Sequence, residues 1–173
     1  PATVEFVDIA GLVRGASKGE GLGNKFLSHI RDVDAVVHVL RCFENGDIIH
    51  VDGSVDPIRD LETINLELIY SDIEQVEKRI EKTQKLLKGD KTLQKQLDLF
   101  NKILAALNAG CTARSVDISD DERELLGDLN LLTLKPTIYV ANVSEDEAAE
   151  VSPNNEMYNK LKAAADAEGA EVI

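Results

Sequence analysis

The chain has no apolar run near the ~20 residues a membrane-spanning helix needs, and no charged start leading into an apolar block that would mark a secretion signal. A cytoplasmic protein with no membrane partner is expected. Cysteine is scarce: Cys42 and Cys111 lie far apart without metal-type spacing, so buried free thiols are expected in place of a disulfide. Basic residues are outnumbered, nineteen against thirty-two acidic, and the net charge of −13 excludes the whole surface from serving as a nucleic-acid footprint. The length of 173 residues suits one domain, or one domain carrying an insertion. The chain opens on Pro1 ahead of a strand-like run and closes on Val172-Ile173 as another begins, so both ends read as cuts in a longer protein.

What is present is organised around Val4-Glu5-Phe6-Val7-Asp8-Ile9-Ala10-Gly11. A run of strand formers stops at an aspartate and a glycine follows, the pattern of a phosphate-side loop at the carboxyl end of a buried strand. Asp8 could hold a magnesium ion directly or through water, and Gly11 would let a backbone N–H approach a terminal phosphate. A buried strand that merely ends in a turn-forming Asp has the same appearance.

Four further glycines fall between Gly15 and Gly23, a segment with a high ordering entropy that should be mobile until a ligand or partner holds it. It is not a Walker loop, because neither Lys18 nor Lys25 stands in a Gly-Lys-Ser/Thr string. A short amphipathic helix from Asn24 to about Arg31 places Phe26, Leu27 and Ile30 on one side. Ala35 to Cys42 then reads as a second buried strand, with His38 as a core or edge histidine. In the loop from Phe43 to Asp60, rich in Gly, Asp and Pro, a short extended piece is expected at Ile48 to Val51.

From Leu61 the period changes. Leu66, Ile69, Ile73, Val76, Ile80, Thr83 and Leu87 recur at steps of three and four, and after a turn at Lys88-Gly89-Asp90-Lys91 a second seam runs through Leu93, Leu97, Phe100, Leu104 and Leu107 to a terminal Gly110. Two seams joined by a short turn predict a projecting antiparallel helical hairpin. Seven basic residues between Lys78 and Lys95 face two acidic ones there. The excess makes Lys85, Lys88 and Lys91 candidates for binding a ribosome or RNA, unless the charges form a solvated face supported by pairs such as Glu74/Lys78 and Glu81/Lys85.

Ser119-Asp120-Asp121-Glu122 is a capping box opening a short helix. Thr137 to Ala141 is a third buried strand, Asn155 to Glu168 a final helix stopped by Gly169, and Val172-Ile173 the start of a fourth strand. Strands alternating with helices, and apolar on both faces, predict an α/β fold with a parallel sheet. Residues 43 to 135 replace a single crossover, so the hairpin is an insertion. The expected division is a nucleotide-domain part at 1–60, the inserted helical coiled coil at 61–134 and a second nucleotide-domain part at 135–173.

Ligands of such sheets sit beyond the carboxyl ends of the strands, where Asp8 and Asn142 are both expected. Phosphates and magnesium would lie near Asp8 and Gly11, and a purine base near Asn142, Val143 and Glu145. The ionised Glu145 can only accept hydrogen bonds, which suits the adenine amino group; an aspartate, one methylene shorter, would fork the two donors of guanine. Alternatively Asn142 caps a turn and Glu145 is ordinary surface.

Three strings, Asp8 to Asn24, Val39 to Glu44 and Leu134 to Glu145, together resemble the Obg-like ATPase family, the YchF group, over essentially the whole chain. Asp8 to Gly11 match its third nucleotide motif, and Asn142 to Glu145 the fourth in the form that goes with ATP over GTP. The resemblance implies a Ras-like P-loop fold with a coiled-coil insertion and a C-terminal TGS domain, ATP hydrolysis with Mg2+, and association with ribosomes or nucleic acid. A monomer is expected. No Gly-Lys-Ser loop, second motif, completed fifth motif or TGS domain stands in this chain, so it should not hydrolyse ATP usefully alone. Leu12 occupies the position where a glutamine usually orients the attacking water, so no catalytic residue is assigned, and His29 is one candidate to help. The alternatives are a non-enzymatic interaction module and a GTP-specific protein; Glu145 and Val143 speak against the latter.

Overall fold

The computed structural model describes residues 3–9, 22–45, 54–149 and 155–173, without the side chains of 22–25 and 149. The chain forms α1 (Leu22–Asp32), β1 (Val36–Arg41), α2 (Pro57–Leu87), α3 (Gln94–Asn108), α4 (Asp120–Leu126), β2 (Thr137–Asn142), α5 (Glu145–Ala149), α6 (Glu156–Glu168) and β3 (Glu171–Val172). The three strands are parallel in the order β1-β2-β3, with Val36 opposite Thr137 and Arg41 opposite Asn142. No helix among the described residues is long and apolar enough to cross a membrane.

Local signals account for the element ends. Asp56 accepts from the N–H groups of Ile58 and Arg59, and Pro57 follows in the first turn, where its missing N–H costs nothing. Over 31 residues α2 runs about 46 Å. Asp90 caps the turn into α3, and the Ser119/Glu122 capping box opens α4 with both of its hydrogen bonds formed. Asn155 caps α6, and Gly169, at φ +69°, closes it in the left-handed region that glycine enters without strain.

The hairpin forms as its two seams require. Ile69, Val76 and Ile80 of α2 pack against Leu97, Phe100 and Leu107 of α3 in a core completed by Ile118, Leu126, Leu129 and Leu131. Ile73, Leu87 and Leu104 are only partly buried there, and Leu66 is 44% exposed. Leu99 and Ile103 are buried although the heptad reading passes over them, because α4 and the following loop cover a second side of α3. The first turns of α2 belong to the sheet instead: Leu61 packs with Leu40, Tyr139 and Leu161. The expected boundary at 61 thus falls inside a continuous helix.

A buried polar joint fastens the hairpin to the entrance of β2. The carboxylate of Asp72 accepts from the N–H groups of Leu132 and Thr133 and from the Thr133 hydroxyl, at 2.7–2.8 Å. Burial raises its pKa, and these donors pull the other way. The end of α1 is tied to the same region: Arg31 donates to Ser71 at 2.7 Å, and Lys135 donates to the carbonyls of Arg31 and Val33.

Two sequence expectations fail. Val4 to Val7 form no strand; Val4, Phe6 and Val7 are 74%, 79% and 59% exposed, and Ile9 alone packs, against the cluster of Leu27, Ile30, Leu68 and Leu132. An extended segment needs a ladder neighbour, and among the described residues β1 pairs only with β2. Nor is the sheet covered on both faces. Leu40 and Tyr139 are buried beneath α2 and α6, whereas Val37, Val39 and Ile138 on the opposite face are 44%, 60% and 36% exposed.

Candidate functional site

β2 ends at Asn142, whose carbonyl accepts from the Cys42 N–H at 2.7 Å, so the carboxyl ends of β1 and β2 are level. The side chain of Asn142 is exposed on that rim, and Glu145 is exposed at the start of α5. Val143 lies between them and packs into the sheet cluster, which holds the loop down while its neighbours face solvent. At the start of α5 Glu147 accepts from the Ser144 N–H and hydroxyl, and the Ser144 carbonyl accepts from the Ala148 N–H. Asn155 then bridges Glu147 and the Cys42 carbonyl, tying this turn to the end of β1. The spacing Ser144-x-x-Glu147 is that of a capping box, of which the structure forms the half in which the Glu147 carboxylate accepts from the Ser144 N–H.

An open cavity of about 460 Å³ lies at the end of β1, lined by Phe43, Asp56, Glu147, Asn155 and Lys160 among others. Its carboxylates, Glu44, Asp56, Glu147 and Glu156, outnumber its one lysine, so it would repel a triphosphate. Cys42 is buried beside it as a free thiol; burial pushes its pKa up to about 11, with Glu147 adding to the effect. Cys111 is also free but exposed, contrary to expectation, because it follows the left-handed Gly110 in the turn that leaves α3.

Asp8 is exposed and lies outside the sheet, so it does not stand at the end of a strand. Ile9 beside it packs with Leu27 and Ile30 of α1, and Val143 packs in the sheet cluster with Leu161 of α6. Among the described residues no group of three or more His, Cys, Asp or Glu could hold a metal by itself. A magnesium ion bound through one carboxylate, water and phosphate oxygens needs no such cluster, and a single exposed Asp8 fits that donor set. Gly11, Leu12, most of the glycine run and the extended piece at 48–51 lie outside the described residues. His29 is exposed on α1. His38 is partly buried and meets Tyr139 edge-on at 5.8 Å, as a core histidine would.

At the hairpin tip, Lys78 pairs with Glu74, Lys85 with Glu81, and Arg79 with Asp128. Lys88 and Lys91 are exposed and make no ion pair among the described residues. Of the three candidate lysines, therefore, only Lys85 is engaged, in an exposed pair of little energetic consequence.

The family model described as "50S ribosome-binding GTPase" matches residues 1–87. The ribosome-binding ATPase YchF of Bacillus subtilis is 54% identical over 174 aligned residues, covering 100% of this chain and 47% of the relative. That of Pasteurella multocida is 49% identical over the same coverage. Among solved structures, the Schizosaccharomyces pombe YchF GTPase superposes with a TM-score of 0.77 at 40% identity, over 95% of this chain and 45% of that one. The chain thus spans about half the length of the curated relatives it matches. The names of these relatives divide on the nucleotide: ATPase for the bacterial proteins, GTPase for the yeast structure and the family.

Proposed function

We propose, from the premise that the chain belongs to the 50S ribosome-binding GTPase family and to its YchF group, that it contributes the base-recognition and ribosome-facing parts of an enzyme hydrolysing ATP in preference to GTP. The observation that carries this is the placement of Asn142-Val143-Ser144-Glu145 directly on the carboxyl end of β2, where parallel sheets present ligand-binding groups. Val143 is packed and the Asn142 and Glu145 side chains are exposed, so the segment is an anchored edge that offers hydrogen-bonding groups. Asn142 can pair with a purine through its amide, and Glu145 can only accept, which favours the adenine amino group.

Asp8 would hold Mg2+ through one carboxylate or an intervening water, and Gly11 would leave space for the terminal phosphate. The ion, when bound with the nucleotide, neutralises phosphate charge. Lys85, Lys88 and Lys91 at the hairpin tip are the proposed contacts to the ribosome, through RNA phosphates. The protein is taken to act as a cytoplasmic monomer.

The test measures the affinities of the full-length protein for ATP and GTP with Mg2+, before and after Glu145→Asp. Tighter binding of ATP, moving toward GTP in the variant, is the expected result. Equal affinities that the substitution leaves equal would overturn base recognition by this segment.

A further inference from the structure

Where the inserted helical module meets the sheet, one guanidinium joins three parts of the fold. Arg114, in a single 3-10 turn at Ala113–Ser115, donates through Nη1 to the carbonyls of Thr133 and Lys135 at 3.1 and 3.3 Å, in the segment leading into β2. Through Nη2 it donates to the Tyr139 hydroxyl at 3.3 Å, in the middle of β2, and to Glu168 Oε2 at 3.2 Å, at the end of α6. The Tyr139 hydroxyl donates to the same Glu168 oxygen at 2.9 Å, and Asn65 of α2 donates to the other at 3.0 Å.

The arrangement is an expensive way to fill space. Arg114 and Glu168 side chains are only 13% and 24% exposed, and the buried Nε of Arg114 has no acceptor among the described residues. Apolar residues of similar volume would commonly stabilise such a site as well or better. What an apolar cluster would not do is set the position of β2 along its own axis, because apolar contacts are non-directional whereas these six hydrogen bonds are not. Tyr139 is three residues before Asn142, about 10 Å along an extended strand. A shift of β2 is therefore delivered undiminished to the exposed edge at Asn142 and Val143. β3 braces the same place, with Ile173 donating to the Tyr139 carbonyl and accepting from the Ala141 N–H.

We propose that Arg114, although it belongs to the inserted module, is a positioning residue for recognition of the nucleotide base, acting through Tyr139 and Glu168 on the end of β2. This rests on the proposal that Asn142 and Glu145 grip that base. The hairpin module is then part of the specificity apparatus and not only a partner-facing arm.

The test uses the full-length protein with Mg2+ and two probes, ATP and inorganic tripolyphosphate, which carries phosphates but no base, with binding followed by calorimetry. Arg114→Met is expected to weaken ATP about 10-fold, in the range usual for coupling between sites, and to leave tripolyphosphate unchanged; a general loss of structure would weaken both. Glu168→Gln keeps an acceptor for Arg114 and Tyr139, and the Asn65 amide can turn to accept from the new NH2, so it should stay near the parent, whereas Glu168→Leu should resemble Arg114→Met. Tyr139→Phe reports on the same joint should Arg114→Met not fold. Asn142→Ala separates the two levels. If it loses ATP while Arg114→Met and Tyr139→Phe bind ATP as the parent does, the positioning role is overturned; if Asn142→Ala itself binds ATP normally, the base-grip proposal falls and this inference with it. Parallel loss of ATP and tripolyphosphate in Arg114→Met and Tyr139→Phe also overturns it.

Discussion

Asp72 and Thr133, sixty-one residues apart, are joined twice: the carboxylate of the first accepts from both the backbone N–H and the hydroxyl of the second, at 2.8 and 2.7 Å. Because Asp72 is fully buried, its removal would leave these donors and the Leu132 N–H without partners. Asp72→Ala is expected to cost about 3 kcal/mol in urea unfolding, and Asp72→Asn nearly as much, since its amide would turn a donor toward donors. A loss below about 0.5 kcal/mol, the range of ordinary surface substitutions, would show that water or rearrangement replaces the joint.

His38 should make stability depend on pH in mild acid. Burial drives its pKa down to about 4, with Asp60 opposing and Arg114 adding to the fall, against an ordinary value of 6.5. The folded form therefore holds this imidazole neutral while the unfolded chain protonates it. Its contribution is fully present above pH 6.5 and is lost as pH falls from 6.5 toward 4. Between pH 7 and pH 5 the parent should lose about 2 kcal/mol more than His38→Leu in paired unfolding curves. Identical pH dependence in the two would remove His38 as the cause.

Two glycines near the hairpin should respond oppositely to alanine. Gly127 closes α4 at φ +59° and ψ −122°, where a side chain is strained whatever the space around it, and Gly127→Ala is expected to cost about 1–3 kcal/mol. Gly89 has no such φ, and an added Cβ would meet only the Leu86 carbonyl oxygen at an ordinary 3.8 Å. Gly89→Ala should therefore be neutral or stabilise by up to about 1 kcal/mol through the unfolded chain. Melting temperatures of the two variants falling together would contradict the assignment.

The tip lysines are tested by charge reversal. Replacing Lys85, Lys88 and Lys91 by Glu should weaken binding to ribosomes and lower the slope of log affinity against log salt by about 2–3, if each neutralises one phosphate. Unchanged affinity and slope would leave these lysines as solvated surface.

The helical hairpin was legible in the sequence because its signals are short-range. Steps of three and four from Ile69 to Leu87, the turn at Gly89 and the box at Ser119 each act within one or two turns of backbone. The strands ending at Arg41 and Asn142 were legible for the same reason, as was the place of Asn142 to Glu145 directly at the end of β2. Asp8 was not: Val4 to Val7 have strand composition, but a strand exists only when another lies beside it, and composition does not supply the neighbour.

By itself, then, the order of residues determined which segments coil and where those helices stop, since caps and periodicity depend on neighbours a few positions away. Tertiary structure alone decided which sheet face is covered, that α2 serves both the sheet and the hairpin, and that Asp72 and Arg114 fasten one to the other. Those contacts join residues about 20 to 60 positions apart, and a buried carboxylate or guanidinium finds its partners only after the apolar seams have brought the segments together.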